Sequence, residues 1–384
     1  MKIKLKYTVD KIWLSYFFVK FIYMLFALFV YSKMTTLGDT YRYLEGVDAF
    51  SATLWHDSTA LMDTLAYSSS VFLGSVLGNL PFLVLSIIGV YYPISRLDLK
   101  RNQLIFLLAL LSLPSFGVWT SIASKEAVGV FFLGIILGFI IDFIKNRPNK
   151  QYFLFSFCVY LCVIFKPQYL IGISALFTFV FFSRKFALRG LGKTVILILF
   201  FVISLFALYL FRNEINELSF IMPRHFSLDA GSTRDNTIWV NDFDVFRNAP
   251  YGMFIGFFGP TFSEALSKPT HLLVFLESAI IVGVFLYALL KLLLISINTG
   301  RLNVYFVGIF LTVSLWVLFV HYPFGALNPG SAIRYRENFY AFLVILFYFC
   351  YTEVKKNYFH YRLEKYRHQG NRMNMRSIKG LSSN

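Results

Sequence analysis

Charge is scarce in this chain and cysteine is scarcer. Of 384 residues, 15% are Asp, Glu, Lys or Arg and three are Cys, a balance that excludes a disordered, self-repelling polymer. Cys158, Cys162 and Cys350 all lie inside apolar runs. They support neither a disulfide framework nor a metal site and read as core packing. The sequence has no nucleotide-binding glycine loop, no HExxH, no GxSxG and no metal-ligand cluster, so neither a metal nor a cofactor is expected. Internal repeats, low-complexity tracts and soluble domains larger than a loop are also missing, as is the ten-residue alternation of a membrane barrel.

What fills the chain is apolar: 57% hydrophobic and 20% aromatic residues, arranged in runs longer than one soluble core can bury. Within lipid, helices satisfy the backbone of such runs. The expected class is therefore all-α, a polytopic integral membrane protein. Runs able to cross about 30 Å of hydrocarbon centre near residues 22, 82, 111, 135, 158, 175, 203, 283, 311 and 345, giving about ten spans. The pair between residues 152 and 182 is interrupted by Lys166-Pro167 and reads as two helices meeting at an outer turn, with one re-entrant element as the alternative. Lys2, Lys4, Lys6 and Lys11 precede the apolar run from Ile12 to Tyr31 without a small-x-small cleavage site. The first span is therefore expected to stay attached.

Charge asymmetry sets the orientation. With the amino terminus inside, inner segments hold 23 of the 36 Lys and Arg against five acids, whereas outer segments hold 11 basic and 14 acidic residues. Both termini are thus expected in the cytoplasm. The +16 net charge is then mostly inner-leaflet lipid anchoring, and no nucleic acid is expected as partner. Residues 1–354 read as one transmembrane domain with large outer loops at 33–70 and 212–269. Residues 355–384 read as a basic cytoplasmic tail.

Every outer connection keeps a basic residue close to a membrane boundary: Arg42, Lys125, Lys166, Arg224 with Arg234, and Arg334 with Arg336. Such residues run against the positive-inside tendency and are retained mainly beside an anionic partner. Arginine holds two phosphate oxygens at once and stays charged in a low dielectric, so a converging set would bind pyrophosphate. Arg334 and Arg336 flank Tyr335: on an extended strand both face one side, and on a helix they diverge by about 200°. Acids stand nearby, and a general base is sought among Asp39, Glu126 and His225, in that order. Glu277, inside a span, and Glu337, beside Arg336, are expected to line the cavity. Lys20 and Lys291 are expected to snorkel. The stretch YGMFIGFFGPTF is too short to span and suggests an interfacial segment.

GDTYRYL after the first span, PSFGVWTSIASKEAV at the second outer turn, Lys-Pro at the third, FFGP and NPGSAIRYREN together resemble the bacterial Wzy-type polymerases of O-antigen and related surface polysaccharides. The resemblance implies an inner-membrane, metal-independent enzyme that transfers a growing glycan from undecaprenyl pyrophosphate to the next lipid-linked oligosaccharide repeat unit. It also implies periplasmic transfer beside a flippase and a chain-length regulator. The outer arginines would contact the pyrophosphate, although no outer arginine shows the Arg-x10-Gly spacing of some members. Two rivals share features: a GT-C-type glycosyltransferase using polyprenyl phosphate, or an O-antigen ligase, and a transporter of the same lipid-linked glycans.

Overall fold

The structure is a computed structural model that describes residues 2–186, 188, 190–225, 234–300 and 303–381. Helices dominate it, and no strand occurs among the described residues. In chain order they are α1 (Lys2–Phe29), α2 (Thr40–Glu45), α3 (Ser58–Leu77), α4 (Leu80–Ile94), α5 (Arg101–Leu110) and α6 (Pro114–Trp119). Next come α7 (Lys125–Ile144), α8 (Tyr152–Phe165), α9 (Tyr169–Lys185), α10 (Gly190–Leu210) and α11 (Arg212–His225). The remainder are α12 (Asp244–Arg247), α13 (Ala249–Phe258), α14 (Phe262–Ser267), α15 (Pro269–Thr299), α16 (Val304–Gly325) and α17 (Pro329–Leu381).

Six segments are long and apolar enough to cross a membrane: Asp10–Lys33, Ser58–Leu77, Lys125–Ile144, Gly190–Leu210, Pro269–Thr299 and Val304–Gly325. Leu80–Ile94, Arg101–Leu110 and Tyr152–Phe165 are apolar but shorter. The run expected around residue 111 is broken there, because α5 is capped at Leu111 and Pro114 starts a separate short helix. Proline supplies no amide hydrogen and begins helices rather than continuing them.

α7 is the axis of the bundle. It is buried nearly all round, and α4, α8 and α17 pack against it. Its approach to α4 depends on glycine: a Cβ at Gly134 would lie 1.8 Å from the Gly89 carbonyl oxygen, so the two backbones touch. Small residues at such crossings let helices pack closely where lipid offers no hydrophobic drive. α10, by contrast, buries none of its residues.

Charged residues sort to the two ends of α7, about 30 Å apart. At its carboxyl end Arg96 pairs with Asp142 at 2.7 Å, and Lys145 and Arg147 meet Asp98 at 3.1 and 3.4 Å. At its amino end sit Lys125, Glu126 and their partners. The residues assigned above to inner and outer connections therefore occupy opposite ends of one helix.

α3 departs from the expected loop at 33–70. It is capped by Asp57, whose side chain accepts from the Thr59 amide at 2.7 Å, and it kinks at Gly74. Lys125 donates to Ser58 Oγ at 3.0 Å and to Thr59 Oγ1 at 2.8 Å, while Asn79 Oδ1 accepts from the Ala123 amide at 2.8 Å. Both ends of α3 are thus held beside the amino end of α7. Its length suits a crossing, but its attachment points share one level of the bundle.

The second long connection, 212–269, also carries helices. Within it α13 packs on α16 and α17. The segment expected in the interface is therefore partly internal, and it lends its Phe257 carbonyl to Arg336 at 3.1 Å.

Candidate functional site

The first turn of α17 begins at Pro329, and Asn328 Oδ1 accepts from the Ser331 amide at 3.1 Å. Residues 334 and 336 are consequently helical, and their side chains leave in different directions. That resolves the ambiguity left by the sequence. It separates two arginines that had been expected to act together.

Arg334 is bound between two acids from distant parts of the chain. Its Nη2 donates to Asp39 Oδ2 at 3.2 Å and its Nε to Glu126 Oε1 at 3.2 Å. The guanidinium lies 5.4 Å from the Trp119 ring centre and 5.7 Å from that of Tyr335. Gly38 makes room for it. This residue has φ +58°, and a Cβ there would come within 2.1 Å of Arg334 Nη1, so both backbone sign and space demand glycine. Asp39 is half-exposed and also accepts from the Tyr43 hydroxyl at 3.3 Å. Glu126 is buried, and its Oε2 has no hydrogen-bond partner among the described residues.

Two more of the expected cations join this group. Lys125 is adjacent to Glu126 and reaches Ser58 and Thr59, as described. Lys166 lies over the Tyr335 ring at 4.9 Å, and burial pulls its pKa down to about 8 against the opposing pull of Glu126. The connections after α1, before α7, after α8 and before α17 thus meet around one arginine.

Beside Arg334 opens a cavity of about 390 Å³, within the roughly 300–1,000 Å³ usual for small-ligand sites. Its wall includes Arg334, Lys268, His271, Trp119 and Asn328, and among the described residues no carboxylate lines it. The first turns of α15 and α17 both contribute, through Thr270 and His271 and through Gly330 and Ser331. Helix N-termini carry a partial positive charge, which suits an anion, although here Asn328 Oδ1 takes the Ser331 amide and the Lys268 carbonyl takes that of His271. His271 is buried, and its Nδ1 has no hydrogen-bond partner among the described residues. Lys268 and His271 escaped the sequence reading because they sit where loop passes into span. The Lys-Pro-Thr-His run at 268–271 was their signal, a cation and an imidazole flanking a helix-starting proline.

Other expected site residues lie elsewhere, which corrects the reading of Arg336, Arg234 and Arg42 as phosphate contacts, of Glu277 and Glu337 as cavity-lining and of Lys20 as snorkelling. Arg336 is sealed inside the protein. It donates to Glu337 at 2.7 Å, Glu277 at 3.3 Å, Ser278 Oγ at 3.0 Å and the Phe257 carbonyl. Glu277 also accepts from the Ser115 amide at 2.9 Å. Glu277 and Glu337 therefore close a buried ionic network and do not line the cavity beside Arg334. Lys20 is buried too, bonded to the Thr120 hydroxyl and 5.0 Å from the Phe116 ring centre, and does not snorkel.

Arg234 forms a bidentate pair with Glu264, at 2.5 and 2.9 Å, and donates to the Ala326 carbonyl at 2.9 Å. Burial pushes the Glu264 carboxyl up, but Arg234 and the Thr261 amide hold it below the usual range. This pair pins the connection between α11 and α15 to the end of α16. Arg42 joins Asp48 at 2.5 Å and Asp63 at 3.2 Å and closes the turn between α2 and α3. The side chains of Arg224 and His225 lie outside the described residues. Among the described residues, no group of three or more His, Cys, Asp or Glu side chains is placed to hold a metal.

No family model matches the chain, and no curated protein or solved structure matches it either.

Proposed function

We propose that the protein is a membrane glycosyltransferase that polymerises lipid-linked oligosaccharide repeat units on the outer side of a bacterial inner membrane. The proposed topology has ten crossings with both termini in the cytoplasm. The observation that carries the reading is the cavity beside Arg334: cationic and imidazole side chains and two helix N-termini surround it, and among the described residues no carboxylate lines it. An anion as dense as a diphosphate fits those terms. The sorting of charged residues to opposite ends of α7 supports the orientation.

In the proposed reaction, a hydroxyl at the non-reducing end of the acceptor unit attacks the anomeric carbon of the growing glycan. The bond from that carbon to the pyrophosphate oxygen breaks, and polyprenyl diphosphate leaves. Its developing charge is taken by Arg334, with Lys268 and the first turns of α15 and α17. The hydroxyl proton passes to Asp39, which is half-exposed beside the cavity and bonded to both Arg334 and Tyr43. Glu126, buried and paired with the same guanidinium, fixes its direction. Undecaprenyl-pyrophosphate-linked oligosaccharides are the proposed substrates, with a flippase and a chain-length regulator as proposed partners.

The test is complementation of a deletion strain. Deletion should leave surface glycan one repeat unit long, and Arg334→Ala, correctly inserted, should fail to restore longer chains. A normal ladder from that variant defeats the proposal. Total loss of surface glycan on deletion would instead point to a ligase or flippase.

A further inference from the structure

The cavity beside Arg334 does not end in solvent on every side. A second cavity of about 110 Å³ adjoins it, and Tyr31, Met34, Trp119 and Thr270 line both. Its own wall is almost wholly apolar, with Phe26 of α1 on one side and Leu273 and Val274 of α15 on the other. Phe26 is 37% exposed, Leu272 41% and Leu273 45%, so these side chains form a flank on the outside of the bundle. The groove therefore opens sideways between α1 and α15. Both are among the segments long and apolar enough to cross a membrane.

From these adjoining spaces we infer that the slot between α1 and α15 holds the first isoprenoid units of a polyprenyl diphosphate whose head sits beside Arg334 and His271. The inference rests on the lipid-linked substrate proposed above and names where its tail runs. Charge and polarity change in the order that such an amphiphile requires. A wall with Arg334, Lys268 and His271, and no carboxylate among the described residues, faces the head, and an apolar wall begins where the tail starts. His271 gives a second, independent sign of a ligand, because it lines the polar cavity and its buried Nδ1 has no partner among the described residues. Trp119, shared by both spaces, marks the boundary. Indole rings favour such positions, with one face apolar and one edge polar.

The full-length protein in zwitterionic nanodiscs should be labelled by a polyprenyl diphosphate carrying a diazirine in its first isoprene units. The expected labelled peptides contain Phe26 and Leu273. Leu273→Trp fills the slot and excludes the equivalent of about two methylene groups, which weakens binding of the probe about tenfold. Binding of inorganic pyrophosphate should remain unchanged. Phe26→Trp, on the opposite wall, repeats the test should the first variant lose its parental melting behaviour. Labels mapping to another helix pair, or unchanged affinity in either folded variant, overturn the inference. So does complete displacement of the probe by phosphatidylglycerol, which would make the slot a phospholipid site. The two proposals fail separately: labelling at the slot with an unaltered glycan ladder on deletion removes the polymerase reading only. Loss of the ladder with labelling elsewhere removes the slot only.

Discussion

Replacing Arg336 by alanine should damage the fold, whereas replacing Arg334 should damage activity. The side chain of Arg336 is 2% exposed, and its partners Glu277 and Glu337 are 3% and 1% exposed. Truncation strands two buried carboxyls and removes donors from Ser278 and the Phe257 carbonyl. Breaking a buried pair by deleting one partner costs about 3–5 kcal/mol. That is a large share of a total stability of about 5–15 kcal/mol. Arg334 differs in that only one of its two acids is buried: Glu126, 1% exposed, would be stranded, whereas Asp39, 47% exposed, can be hydrated when the guanidinium is gone. With one buried carboxyl stranded rather than two, its loss should cost less, about 1.5–3 kcal/mol, the range for hydrogen bonds to charged groups. Unfolding by SDS in mixed micelles, monitored by tryptophan fluorescence, ranks the two variants. A triple variant, Arg336→Met with Glu277→Gln and Glu337→Gln, removes all three charges and should recover most of the loss seen with Arg336→Ala. Parental stability in Arg336→Ala, or a triple variant no better than the single one, refutes the reasoning.

Three further expectations follow from the same geometry. Asp39→Asn should reduce polymer formation about 100-fold or more if that carboxylate is the general base, without sensitivity to chelators. Loss of activity on chelation as well would move the assignment to a single-sugar transferase, and in vitro chain-length analysis with and without EDTA separates the two. Lys166 has a pKa lowered to about 8 by burial, so folding opposes its charge. That destabilisation is fully present below about pH 8 and is relieved as pH rises towards the unfolded lysine value of about 10.4. Unfolding measured across that window should show stability rising with pH in the parent and a flatter profile in Lys166→Met; equal slopes would contradict the assignment. Reporter fusions after Asp235 and Gly330 should read the outer compartment, and one after His360 the inner. A reversed signal at any of them rejects the proposed orientation.

The sequence by itself determined that the chain is helical and apolar enough for a membrane, because long apolar runs leave the backbone few other ways to satisfy its hydrogen bonds in lipid. It also showed which charged residues belong to the same end of the bundle, since helices about 30 Å long carry their flanking residues to opposite ends. Asp39, Lys125, Glu126, Lys166 and Arg334 were legible as candidates from their places in short connections. Only the tertiary structure decided which of them meet. Arg334 finds its partners 295 and 208 residues away, a pairing that no local spacing encodes. Arg336 turns away from Arg334 because Pro329 starts a helix before them, and two positions along a helix point to opposite walls. The break after Leu111, the helix at Ser58–Leu77 and the lining of the cavity by Lys268 and His271 were likewise settled by packing. Periodicity reports which face of an element is apolar, but what covers that face depends on the rest of the chain.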